Sequence, residues 1–280
     1  MLEREPSRTA FAAAAYRAVH QVLEGGSLFR DPLALPILGL SPDALRGDPA
    51  AGDDRRGIRV FVVARSAIAE RALREGVEQR GVGQLVVLGA GLDTFAYRNP
   101  FGDRLEVFEV DHPATQAWKR SRLAEAGIPI PDSLTYAPVD FEREDLTERL
   151  DAAGLDPNVR TFFTWLGVVP YLTKEAITGT LRQIASHPGG AEVVFDYSEP
   201  REDIDPALQA YSAERAARVS AIGEPFLSFI RPAELHTQLG GLGFTAIDDL
   251  DIPGILTRLT GRPPQETTRR AGGHVLFAAT

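Results

Sequence analysis

The chain has 280 residues, 44% hydrophobic and 25% charged, which suits one large domain or one domain with a cap and allows a sizeable core. A net charge of −9 and a pI of about 5.2 argue against a general electrostatic grip on nucleic acid or anionic lipid. The absence of cysteine excludes disulfides, thiolate metal sites, cysteine nucleophiles and iron–sulfur clusters.

The opening residues, MLEREPSRTA, are charged and polar and do not read as a signal peptide, and no apolar run reaches membrane-spanning length, so a cytoplasmic protein is expected. Residues 8–24 read as a helix, with Ala10, Phe11, Ala14, Ala18 and Val22 close to helical spacing. From Gly25 to Gly57 the chain is broken by glycine and proline into loops and short helices. Residues 58–79 read as a helix again.

The pattern then changes. Gln84 to Leu88 is a short apolar run stopping at Gly89, as a buried parallel strand would. Leu105 to Val110, Leu134 to Val139, Thr161 to Leu166 and Ala191 to Tyr197 follow as strands. Helices are expected over 114–126, Lys174 to Ser186 and 203–220, with another opening at Arg231-Pro232. Gly243 to Asp249 and His274 to Ala279 complete seven strands. Alternating strands and helices predict an α/β fold with a mostly parallel sheet and helices on both faces. The last two strands lack a long helical crossover, which predicts a closing antiparallel pair. The first 80 residues are expected to form a helical lid over a core spanning 81–280, with a helical insertion near 200–230.

The central motif is Leu88-Gly89-Ala90-Gly91-Leu92-Asp93, directly after the first strand. Its glycines allow a tight turn and let a ligand lie against backbone amides. A dinucleotide fingerprint requires a third glycine, and that position is Thr94. Asp93 would be a poor neighbour for phosphate but can accept from the ammonium of an amino-acid ligand. Asp111 ends the second strand, where an acid bonds ribose hydroxyls. Asp140 and Phe141 follow the third, where a carboxylate and an aromatic suit adenine. Each acid alone could equally be a cap or a solvated loop residue; the ordered set points to a nucleotide-like ligand.

The chain resembles the leucine carboxyl methyltransferase family, and its bacterial branch in particular. The resemblance rests on Ser7-Arg8-Thr9-Ala10, Asp31-Pro32-Leu33-Ala34, Arg65-Ser66, VVLGAGLDTFAYR over 86–98, FEVDHP over 108–113, PVDFEREDL over 138–146 and WLGVVPYLT over 165–173. It implies a class I methyltransferase, Rossmann-like fold and S-adenosylmethionine as cofactor. Arg65 would then reach the methionine carboxylate, a contact that suits a bidentate guanidinium. Gly89, Ala90 and Gly91 would line the methionine part, Asp111 would hold the ribose, and Asp140 and Phe141 would frame the adenine. Asp93 and His112 fall in the same set, although His112, beside Pro113, reads as structural on its own. Arg8 would help close the lid. Leu166, also at the cofactor edge, departs from the family, in which many members carry an acid at that place. Glu70 stands where an Asp is common.

For the acceptor side, Tyr171 is the candidate catalytic residue, against ordinary packing at a helix start. Asp196 and Tyr197 could line the site or cap it. The aromatic segment Pro225 to Phe229 suits a small, partly apolar acceptor. His20 reads as a solvated helix histidine before it reads as a base. The five histidines are scattered, so no metal is expected. These features predict O-methylation of a carboxylate or hydroxyl on a small molecule, by a monomer or homodimer with no nucleic-acid or membrane partner. A protein C-terminal carboxyl methyltransferase and a non-catalytic cofactor-binding protein are the alternatives; a nicotinamide dehydrogenase is disfavoured by Thr94.

Overall fold

The computed structural model describes residues 7–139, 144–263 and 271–280. Seven strands form one sheet in the order β3-β2-β1-β4-β5-β7-β6. They are β1 (Gln84–Leu88), β2 (Glu106–Asp111), β3 (Leu134–Pro138), β4 (Thr161–Trp165), β5 (Ala191–Ser198), β6 (Ala246–Asp251) and β7 (Gly273–Ala279). β1 pairs parallel with β4, β4 with β5, and β2 with β3. β7 runs antiparallel to both β5 and β6 and lies between them, so the predicted closing antiparallel pair, β6 with β7, is present. β1 is buried at every residue and β5 at all but its last, as strands covered on both faces must be.

The residues fall into two compact units by their contacts: 7–67 with 89–155, and 68–88 with 156–280, within the described residues. In the first unit, α1 (Arg8–Glu24) starts on Ser7, whose hydroxyl accepts from the Ala10 amide, and ends on Gly25 in the left-handed conformation. The short helices α2 (Ala34–Leu38) and α3 (Pro42–Arg46) occupy the segment expected to be broken, and α4 (Arg56–Gln79) follows. Ala14, Ala15, Ala18 and Val19 of α1 join Ile37, Leu38, Leu45 and Leu92 in one hydrophobic cluster. Leu123 of α5 (Pro113–Glu125) completes it. Small residues on α1 let its neighbours approach closely.

Several elements differ from expectation. α6 (Leu146–Ala152) and α10 (Ile252–Thr260) were not anticipated. Both carry start signals: Asp145 accepts from the Glu148 amide, and Asp251 from the Gly254 amide. β6 begins at Ala246 rather than at residue 243, because Gly243 closes α9 (Pro232–Leu242) with φ of 100°. α7 (Lys174–Ala185) and α8 (Pro206–Ala221) lie close to their expected spans.

The second unit contains a charged cluster that the sequence did not announce. His274 of β7 sits between two carboxylates, with Nδ1 2.9 Å from Asp249 Oδ1 and Nε2 2.9 Å from Glu199 Oε1. Its ring stacks on Tyr197 at 4.8 Å. Asp249 Oδ2 also receives the Tyr197 hydroxyl at 2.6 Å and faces His236 Nε2 at 2.7 Å. Burial disfavours charge on His274, but the bonds to Asp249 and Glu199 outweigh it and raise its pKa above the ordinary 6.5. Burial likewise pushes Asp249 up, yet its bonds from His274, Tyr197 and His236 hold it below the ordinary 3.8.

Linkage sets the sign of the pH dependence. Stability from the raised histidine is complete below 6.5 and is lost as pH rises through its folded pKa; stability from the lowered carboxylate is present above 3.8 and is lost as pH falls through its own. Denaturant unfolding followed from about pH 5 to about pH 9 is expected to show wild-type stability declining on the alkaline side. His274→Gln is expected to lack that decline; an identical alkaline slope in both proteins would remove the assignment.

Candidate functional site

The strand order runs from β1 outward in both directions, and ligands in such sheets lie beyond the carboxyl ends of the strands where the order reverses. The turn beyond β1 is Gly89 to Asp93. Gly89 and Gly91 both have positive φ, 68° and 47°. Gly91 is required on a second count: a Cβ there would lie 2.9 Å from the Cβ of Ala10 on α1. The Gly89 and Ala90 amides both donate to the Val110 carbonyl of β2, at 2.8 and 3.1 Å.

Asp111 fastens this turn. Its Oδ2 accepts from the Gly91 amide at 2.5 Å and its Oδ1 from the His112 amide at 2.7 Å. Burial pushes the Asp111 carboxyl up; the two amides pull the other way without cancelling it. An ionised carboxylate offers about four lone-pair positions, so both oxygens keep capacity for further donors. His112 is the N-cap of α5, with Nδ1 accepting from the Ala114 amide at 3.2 Å, which is a structural duty. Asp93 Oδ1 accepts from the Phe95 amide at 2.8 Å and so starts the 3₁₀ turn Phe95–Arg98. Arg65 lies half-buried on α4. Asp140 and Phe141, the expected adenine pair, lie outside the described residues.

Beneath Asp111, on the same face of β2, Glu109 is completely buried. Its Oε2 meets Lys119 Nζ of α5 at 2.7 Å and the Tyr97 hydroxyl at 3.2 Å, and Tyr97 bonds Tyr136 at 2.7 Å. Burial first, then the Glu109 charge, pushes the Tyr97 phenol far up, so it stays a neutral donor. Burial also raises Glu109 despite Lys119. In the sequence Tyr97 and Glu109 stood only as letters of longer motifs, with no role attached, and Lys119 was passed over; an acid two residues before Asp111 and a lysine inside the following helix were the available signals.

In the second unit, Tyr171 ends a 3₁₀ turn, Val169–Tyr171, and is half-buried. Its ring lies 5.3 Å from that of Phe226, which meets Phe229 edge-on at 6.4 Å and carries the Arg215 guanidinium over its face at 5.1 Å. The segment is tied down by the Leu227 amide, which donates to the Pro170 carbonyl at 2.7 Å, and by the Ser228 hydroxyl, which donates to the Leu172 carbonyl. Leu166 is half-buried at the end of β4. Asp196 caps the turn after it, accepting from the Gly167 amide at 2.5 Å, and Tyr197 is spent on Asp249.

His20 departs from its expected solvated place. It is fully buried, its Nδ1 donates to Glu24 Oε2 at 2.6 Å, and its Nε2 accepts from the Leu28 amide at 3.2 Å. Both nitrogens are engaged in folding α1, which leaves no role as a base.

Residues 10–185, more than half of the chain, match the leucine carboxyl methyltransferase family. The YktD protein of Bacillus subtilis (strain 168), whose name places it among candidate S-adenosyl-L-methionine-dependent methyltransferases, is 35% identical over 190 residues, covering 67% of this chain and 62% of that protein. A protein of Mycolicibacterium smegmatis with the same description is 31% identical over 224 residues, covering 75% and 73%. The chain thus spans less than two thirds of the Bacillus relative's length. Among solved structures, a candidate methyltransferase from Thermobifida fusca superposes with a TM-score of 0.59 at 17% identity, covering 99% of this chain and 95% of that one. A DUF574-family protein from Streptomyces avermitilis gives 0.56 at 14%, covering 95% and 96%. At such identities the superpositions speak to the fold alone, which is that of the class I methyltransferases. On the extent of the family match, the chain belongs to the leucine carboxyl methyltransferase family.

Proposed function

We propose that this protein is an S-adenosylmethionine-dependent O-methyltransferase acting on a carboxylate or hydroxyl of a small acceptor. The observation that carries the cofactor reading is the Asp111 carboxylate bonded to the Gly91 amide at 2.5 Å, at the turn of two left-handed glycines. That carboxylate retains acceptor capacity for two vicinal ribose hydroxyls. Relatives named as candidate S-adenosyl-L-methionine-dependent methyltransferases support the same choice.

S-adenosylmethionine supplies a methyl group on a positively charged sulfur, open to in-line displacement. In this reading Arg65 holds the methionine carboxylate, Gly89, Ala90 and Gly91 line that part of the ligand, and Asp93 accepts from its ammonium. His112 contributes by fixing Asp111, and Asp140 and Phe141 serve the adenine. Leu166 gives apolar surface where the family resemblance implies an acid in many members. Tyr171, with Phe226 and Phe229, offers an aromatic surface for the acceptor. A carboxylate acceptor is ionised at neutral pH and needs only positioning; a hydroxyl must give up a proton, which the Tyr171 side chain would take as its phenolate and pass on to solvent.

Bonds to a charged partner contribute about 1.5–3 kcal/mol, or about ten- to hundredfold in Kd. Arg65→Ala and Asp111→Asn are each expected to weaken S-adenosylmethionine binding by about that factor, measured by equilibrium dialysis. Unchanged binding in both would sink the site assignment. With an acceptor found from a panel of carboxylates and phenols, Tyr171→Phe is expected to slow hydroxyl methylation about a hundredfold while cofactor affinity stays the same. Unchanged turnover would return Tyr171 to packing.

A further inference from the structure

Thr94 occupies the position at which a dinucleotide fingerprint has its third glycine, and its side chain is turned inward and buried. Its hydroxyl donates to Asp31 Oδ1 at 2.7 Å. Asp31 has no exposure to solvent, yet no oxygen is wasted: Oδ1 also accepts from the Leu33 amide at 3.2 Å, and Oδ2 accepts from Arg17 Nε at 3.0 Å. Arg17, itself buried on α1, extends Nη2 to the Leu92 carbonyl at 2.6 Å. Arg98 joins them, donating from Nε to Thr94 Oγ1 at 3.1 Å and lying 3.6 Å from Asp31 Oδ1. The bonds close a ring that leaves the turn at the Leu92 carbonyl, passes through Arg17 and Asp31, and returns at Thr94.

This ring reaches the turn through Arg17 of α1 and through Asp31, whereas Asp111 reaches it from the end of β2. The Leu92 side chain is meanwhile packed in the cluster with Ala14, Ala15 and Ala18. Two backbone points of the turn, the Leu92 carbonyl and the Thr94 Cα, are therefore fixed by charged groups far away in sequence. A buried ion pair adds little net stability compared with apolar packing, but it does fix geometry when all its bonds are satisfied. A preset turn spares a ligand the entropy of ordering it.

We propose that Asp31 and Arg17 are positioning residues for cofactor binding. They act through the Thr94 hydroxyl and the Leu92 carbonyl to hold the Gly89–Asp93 turn in its binding shape, and do not themselves touch the cofactor. The proposal rests on the reading of that turn as the S-adenosylmethionine turn.

The test is calorimetric titration of S-adenosylhomocysteine into the full chain, at a temperature where circular dichroism shows each variant folded. Thr94→Val keeps the shape and removes the hydroxyl; Thr94→Ser keeps the hydroxyl. Asp31→Asn removes the charge that Arg17 faces, and Arg17→Lys keeps a cation while giving up the second bond to Leu92. The folded Thr94→Val, Asp31→Asn and Arg17→Lys proteins are expected to bind about tenfold more weakly, with Thr94→Ser within about twofold of wild type. Where one variant fails to fold, the Thr94 pair or Arg17→Lys decides. Wild-type affinity in the folded variants would overturn the proposal and make the ring a stability device. No binding by the wild type would instead overturn the cofactor reading, and the proposal with it.

Discussion

One short bond organises the first unit: the Gly91 amide donating to the Asp111 carboxylate at 2.5 Å. A turn built on two left-handed glycines has few side-chain contacts of its own, so its shape has to be imposed by its surroundings. Asp111 imposes it from one side, the Leu92 side chain anchors it in the α1 cluster, and Ala10 stands where a Cβ on Gly91 would have to go. Each of these partners is itself held. Asp111 is steadied by the His112 amide, and the strand beneath it by Glu109, Lys119 and the Gln116 amide group that donates to the Glu109 carbonyl at 2.8 Å. Leaving one member of such a buried pair unpaired costs about 3–5 kcal/mol, against about 5–15 kcal/mol for a whole domain. The acids of β2 thus divide the work, Glu109 securing strand to helix and Asp111 securing strand to turn.

The elements legible in the sequence were those whose burial writes a local pattern. β1 and β5 are covered on both faces and read as unbroken apolar runs. α1 was read from its small apolar spacing, and the structure adds the Ser7 cap. α6 and α10 went unread: they are short, and their end signals, Asp145 with Glu148 and Asp251 with Gly261, carry little weight without a long periodic stretch. The start of β6 was misplaced because one glycine, Gly243, can end a helix or open a strand, and only its φ tells which.

The acids proposed for the cofactor were singled out because strand ends place them in a known order along the chain. What could not be read was anything that depends on distant pairing. Thr94 meets Asp31 across 63 residues, and His274 meets Glu199 across 75. The second contact exists because β7 inserts between β5 and β6, a feature of sheet order that no local spacing encodes. His20 was misread for a different reason, since its own partners are local in sequence. Its burial is made tolerable by Leu28 and by Glu24, which is in turn held by Arg59 at 2.9 Å. Burial pushes Glu24 up, but the bonds from His20 and Arg59 bring it below its ordinary value.

Thr94 separates this turn from a dinucleotide-binding one both in sequence and in space, since its side chain fills and bonds the place that a third glycine would leave bare. The central claim is therefore one of ligand class, and a competition titration tests it most directly: S-adenosylhomocysteine and NAD, each alone and then together, against the full chain. The account predicts about micromolar affinity for S-adenosylhomocysteine, no heat from NAD and no displacement by it. Saturable NAD binding that displaces or replaces S-adenosylhomocysteine would contradict it.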